Sequence, residues 1–164
     1  MNPFAHIAIS TALGGALWFA LKSIPAALAC LAAGVLVDLD HVLDYIYNFG
    51  WRPRARHFMR TFKHDVLRRI VVFLHSWELA PLAVLAVWWS GWHPVGIGLL
   101  AGALAHLALD QIFNRHSPLA YFITYRIYHR FAGRPFYGRR EYRERLRKQR
   151  AAEHENTDRP TATY

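Results

Sequence analysis

Four short elements set imidazoles beside carboxylates, or alone, inside otherwise apolar sequence: His6, then Asp38-Leu39-Asp40-His41, then His75 with Glu78, then His106 with Asp110. The spacings are three, three and four, so on helices the partners Asp38 and His41, His75 and Glu78, and His106 and Asp110 each share one face. An ionised carboxylate deep in a bilayer costs roughly 2.5 to 3.5 kcal/mol on insertion scales, which reserves such residues for a pathway, a pair or a metal. Imidazole nitrogen with carboxylate oxygen suits zinc, with manganese or iron as alternatives, better than calcium. The lack of thiolates points to a catalytic rather than a closed structural site. Asp38, Asp40, Glu78 and Asp110 supply four negative charges, which two divalent cations would neutralise. Two metals ~3.5 to 4 Å apart activate water and clamp the attacking and leaving oxygens of a phosphoester, so hydrolysis is the chemistry expected. A carboxylate outside the ligand set, Asp40 or Asp44, is the candidate base or the partner that orients a liganding histidine.

The elements that must position these residues follow from composition. The 164 residues suit one domain, and 54% hydrophobic with 19% charged is more apolar than a soluble chain needs. Apolar runs suggest four spanning helices over about 3–21, 24–44, 70–89 and 95–113, with Pro81 kinking the third. Gly96, Gly98 and Gly102 allow close helix approach in the fourth. The first five residues carry no Lys or Arg, so the first run reads as an uncleaved span and not a signal peptide. The lone Cys30 excludes an intrachain disulfide and a multi-cysteine zinc site. The fold expected is all-α: an integral membrane bundle of four helices spanning residues 1–135, with a basic loop at 50–69 and a basic C-terminal segment at 136–164. The last fifteen or so residues offer little apolar surface to bury and are expected to be disordered.

Charge gives the topology. Of 20 Lys and Arg, seven lie between Arg52 and Arg69 and twelve between Arg115 and Arg159, leaving only Lys22 elsewhere. By the positive-inside rule both rich segments and both termini face the cytosol of a bacterial inner membrane. That assignment uses only Lys and Arg, yet it brings His6, Asp38, Asp40, His41, His75, Glu78, His106 and Asp110 to one level at the cytosolic ends of the four runs. A shared metal site, with His6 as a further ligand and Asp40 as ligand or base, accounts for this. The basic segment and Arg115, with His64 and His116, are candidate contacts for a phosphate or an anionic lipid headgroup on the same face.

At these residues the chain resembles the bacterial membrane-bound metal-dependent hydrolase families. The resembling elements are His6, Gly34-x-x-x-Asp38-x-Asp40-His41, His75-Ser76 and His106-x-x-x-Asp110, and the resemblance covers roughly residues 1 to 116. More distantly, it is similar to the zinc-dependent phospholipase C and single-strand nuclease superfamily. The resemblance implies a metal-dependent hydrolase and supplies no substrate. Two other classes compete: a metal-ion or proton transporter, which should spread polar groups through the bilayer depth, and a non-catalytic membrane protein whose polar cluster only packs the bundle. The tail run Arg139 to Arg150, interspersed with Glu141 and Glu144, reads as a solvated or membrane-surface helix in preference to a nucleic-acid site. The chain lacks a Gly-rich phosphate loop, a Gly-x-Ser-x-Gly elbow and a Cys/His dyad.

Overall fold

Apolar runs without internal breakers build the long helices, and polar side chains mark their ends. In a computed structural model of the chain, which describes residues 3–51, 57–58, 61, 66–114 and 116–157, every regular element is helical. Helix α1 (Pro3–Leu21) stops where Lys22 takes a left-handed φ of 52°. Ser23 then caps α2 (Ile24–Leu36), its hydroxyl accepting the Ala26 N–H at 3.3 Å, with Pro25 in the first turn. A 3-10 turn, Val37–Leu39, joins α2 to α3 (Asp40–Phe49), and Gly50 ends the run at φ 73°. Helix α4 (Leu79–Trp89) turns through residues 90–93 into α5 (Pro94–Phe113), where the His93 ring accepts the Val95 N–H.

Three helical runs are long and apolar enough to cross a membrane: Phe4–Leu21, Ile24–Phe49 and Pro94–Phe113. Their burial pattern is inverted relative to a water-soluble protein. Trp18, Leu28 and Leu99 point outward, whereas His6, Ser10, His106 and Asp110 are buried. Lipid as the surrounding solvent makes that arrangement favourable.

The expected third span differs. Helix α4 has 11 residues and rises only ~16 Å, about half a hydrocarbon core. Residues 66–78 before it are irregular, because side chains supply the partners that helix hydrogen bonds would otherwise provide. Asp44 accepts the Val71 and Val72 N–H groups at 2.7 and 3.3 Å, and Asp40 accepts that of Leu74 at 2.5 Å. The buried Arg126 guanidinium donates to the carbonyls of Val71, Val72 and His75 and to the Ser76 hydroxyl. Val72, buried and β-branched, is held there at φ 27°, a conformation that persists only where the surroundings over-determine it. Pro81 is not a kink: it sits in the first turn of α4, where its missing N–H removes no helix bond.

Three stripes of residues spaced by four lock the bundle. A Cβ on Gly98 would strike the Ala26 carbonyl, one on Gly102 the Cys30 carbonyl, one on Gly34 the Ser10 side chain and one on Gly14 the Ala27 carbonyl. Helices α2 and α5 therefore run parallel at close backbone approach, with α1 antiparallel beside them. Continuing each stripe by four residues gives the site: Gly14, Ser10, His6 on α1; Ala26, Cys30, Gly34, Asp38 on α2 and the 3-10 turn; Gly98, Gly102, His106, Asp110 on α5.

Beyond the ends of α3 and α5 a second small core gathers Leu67, Ile70, Val72, Ala120, Phe136 and Tyr137. It draws on residues 66–72, a 3-10 turn at Pro118–Tyr121, α7 (Gly133–Phe136) and, through Tyr142, α8 (Arg139–Thr157), while α6 (Ile123–Tyr128) follows the 3-10 turn. This cap uses residues on both sides of the expected boundary at 135. Helix α8 also carries the chain to Thr157 where disorder is expected, supported by the i, i+4 pairs Arg140–Glu144 and Glu141–Arg145. Residues 158–164 lie outside the described residues.

Candidate metal centre

Four ligand atoms converge where the stripes end. Asp38 comes from the 3-10 turn, His106 and Asp110 from α5, and His75 from the irregular segment, one atom of each lying within 4.8 Å of the others. His75 Nε2 and His106 Nε2 are 3.2 Å apart. Asp38 Oδ1 lies 3.6 Å from the first and 3.4 Å from the second, and Asp110 Oδ2 lies 3.6 and 3.7 Å from them. A tetrahedron whose corners stand ~2.0 to 2.2 Å from a central zinc has edges of ~3.3 to 3.6 Å, so these five separations are close to those of a single metal's ligand shell, and the sixth, between Asp38 and Asp110, lies within 4.8 Å.

The protons make the same point. His106 Nδ1 is 2.8 Å from the Gly34 carbonyl, which can only accept, so Nδ1 carries the hydrogen and a neutral ring presents a bare lone pair at Nε2. His75 Nδ1 faces the Asp40 carboxylate at 3.4 Å with the same consequence. Two imidazole nitrogens and two carboxylate oxygens then face one another, an arrangement that a shared proton or a cation in the middle holds together. The carboxylate and carbonyl behind the imidazoles are the partners that liganding histidines ordinarily have.

The other candidates from sequence are placed as follows. His6 stacks on His106 with ring centroids 4.0 Å apart and sets Nε2 3.1 Å from Asp110 Oδ1, the oxygen turned away from the centre; it braces a ligand. His41 stands at the rim, with Nε2 3.7 Å from Asp38 Oδ1 and its ring tilted against His75. Asp40 orients His75, and Asp44 holds the backbone of Val71 and Val72. Glu78 does not join the cluster. Its carboxylate accepts the N–H groups of Ile123 and Thr124, both at 3.0 Å, and the Thr124 hydroxyl, at the start of α6. With Glu78, Asp40 and Asp44 so engaged, Asp38, His75, His106 and Asp110 are the group among the described residues that could hold a metal ion. His116 pairs with Glu141 at 2.9 Å in the cap, outside the cluster. His64 and Arg115 lie outside the described residues.

Two contributors escape a reading of the sequence. Arg126 pins the segment that carries His75, and the Tyr121 hydroxyl donates to the Asp110 carbonyl at 3.0 Å. Burial, reinforced by the Asp110 charge, pushes the Tyr121 pKa upward, so the hydroxyl keeps its proton. A signal for Arg126 exists: it is the only charged side chain between Ser117 and Tyr128.

No protein-family model, curated protein or solved structure matches this chain.

Proposed function

We propose that the chain is a membrane-embedded hydrolase whose Asp38, His75, His106 and Asp110 hold one divalent transition metal, zinc by ligand chemistry, and that it cleaves a phosphoester. The observation carrying this reading is the convergence of two imidazole nitrogens and two carboxylate oxygens within 4.8 Å of one another, with the far side of each ring held by an acceptor. Bound there, the metal would supply Lewis acidity and a water of lowered pKa. The chain's own residues do the rest. Asp40 and the Gly34 carbonyl fix the ring orientations, His6 steadies Asp110, and His41 Nε2 at the rim is placed to take a proton from the attacking water. Asp38, the most exposed of the four, marks the side from which water reaches the centre.

The parallel pairing of α2 with α5 requires the chain to return along the bundle between Gly50 and Pro94. We take α4 together with residues 66–78 as that return, half helix and half irregular backbone shielded by protein, which puts both basic segments and both termini on the cytosolic side. Polar groups confined to one level support an enzyme over a conducting path, which needs them through the full depth.

Purified in detergent, the protein should carry close to one equivalent of transition metal and hydrolyse a phosphoester in a panel of phospholipid and nucleotide esters. His106→Ala or Asp38→Ala should lose both metal and turnover. Metal-free protein that remains active, or full metal occupancy without turnover of any ester, overturns the proposal.

A further inference from the structure

Helix α8 sorts its charge onto one side. At about 100° per residue, Arg139, Arg143, Arg147 and Arg150, with Arg140 beside them, fall within an arc of about 100°, and all five are exposed. Lys148, also exposed, lies beyond the edge of that arc, where Glu144 pairs with Arg140 at 3.1 Å. The opposite face is taken up by the cap. Glu141 pairs with His116 at 2.9 Å, and Arg145 lies over the Tyr137 ring, 4.8 Å from its centroid. Tyr142 packs against the small core, and the Gln149 side-chain oxygen accepts the Val66 N–H at 3.5 Å. The arginines are thus carried on a docked helix, so an anionic surface that meets them need not first order a loose tail.

The anchoring contacts also set the depth of this array. Exposed Ile112 and Phe113 bring the apolar surface of α5 to its last turn. His116 follows three residues later, at most ~11 Å of extended chain, and it holds Glu141 in the first turn of α8. A headgroup layer is roughly 5 to 8 Å thick on each side of the hydrocarbon, and charges act across a Debye length of about 8 Å in physiological salt. The start of α8 therefore stands within electrostatic reach of lipid phosphates if α5 crosses a bilayer. Between α5 and α8 the chain exposes Leu119, Ile127 and Tyr128. Apolar and aromatic side chains of this kind suit the membrane interface and would be poorly placed in bulk water. That continuity of apolar surface into the cap favours a bilayer over a soluble polyanion such as RNA as what the arginines meet.

We infer that the exposed basic face of α8 is a binding surface for anionic lipid headgroups, gathering phosphate-bearing lipids around the cap in the membrane that the long helices cross. This stands apart from the hydrolase reading and rests on Phe4–Leu21, Ile24–Phe49 and Pro94–Phe113 acting as spans.

The test uses the full chain in phosphatidylcholine nanodiscs, with a fluorophore on Ala151→Cys. Ala151 is exposed beside the basic arc, and the native Cys30 is buried. Quenching by doxyl-labelled phosphatidylglycerol is compared with quenching by doxyl-labelled phosphatidylcholine at equal mole fraction. The anionic quencher should reach half effect at a mole fraction lower by about fivefold or more, the worth of a single cation near a charged surface. In 1 M salt, where the Debye length is about 3 Å, the two curves should converge. Arg143→Gln/Arg147→Gln/Arg150→Gln should make them converge at low salt with helical content unchanged, since all three side chains are exposed. Equal quenching by the two lipids at low salt, or a preference that survives both salt and the triple variant, overturns the inference. Quenching by neither lipid also overturns it, and binding of an added RNA oligomer in that case assigns the face to a soluble polyanion.

Discussion

His75 and His106 show how much of a candidate metal site resides in the groups behind its side chains. Each ring is fixed through Nδ1, one by the Asp40 carboxylate and the other by the Gly34 carbonyl, and only that hold aims both Nε2 atoms at one point. Partners of this kind typically contribute about 10- to 100-fold in metal affinity. Asp40→Asn, which keeps an oxygen for the Leu74 N–H but removes the charge behind His75, should weaken metal binding by about that factor without altering helical content. Chelator competition followed by circular dichroism measures both. The converging side chains are legible in the sequence because each is a titratable group in an apolar run. Glu78 meets the same criterion and is engaged elsewhere, since a carboxylate can equally satisfy the N–H groups at a helix start. Spacing alone does not separate those two uses. Arg126 is harder to see, because it sits in a half of the chain where arginine is common and looks like positive-inside charge.

At the scale of the element, the four-residue stripes do the positioning. Glycine and other small residues bring α2 and α5 backbone to backbone, and the next residue of each stripe then lands in the seam, which is why Asp38 and His106 meet. Gly102→Leu should force the helices apart, costing at least the ~1 to 3 kcal/mol usual for overpacking and displacing the His106 ring from Gly34. Gly15→Ala, where an added methyl meets nothing within 4 Å, should be tolerated and stabilise the helix by up to about 1 kcal/mol. Thermal unfolding of the two variants in the same detergent compares them. The long helices are legible from hydropathy, and the glycines of α5 announce close packing. The irregular stretch before α4 is not legible, because a buried coil in a protein-lined setting and a buried helix have the same apolar composition. What distinguishes them is where the backbone hydrogen bonds go, and those partners, Asp40, Asp44 and Arg126, are remote in sequence.

At the scale of the molecule, two solvents meet: a bundle with apolar side chains outward, and a cap with its own small core. Helix α8 is tied to the cap through Glu141, which pairs with His116 and Arg145, both at 2.9 Å. Burial raises the Glu141 pKa, but His116 and Arg145 outweigh it, so the folded value is depressed below the ordinary 4.5. A depressed carboxylate stabilises the docked state at pH values above its unfolded pKa, and the contribution is lost as pH falls through the folded value. Limited proteolysis of α8 should therefore find it protected at pH 7 and increasingly cut below pH 4.5, while Glu141→Gln should flatten that dependence. Equal protection across the acid range would show that the pair does not hold the helix.

The Arg126 clamp also bears on biogenesis. Asp38, His106 and Asp110 ride on helices that can insert as they leave the ribosome, but the backbone that presents His75 is fixed by a side chain made 51 residues later. A nascent chain whose long helices have formed still lacks the fourth member of the cluster until Arg126 has been translated and has docked. Completion of the cluster thus becomes a late event of assembly, and the proposed metal would find its full set of partners only in a chain made at least as far as Arg126.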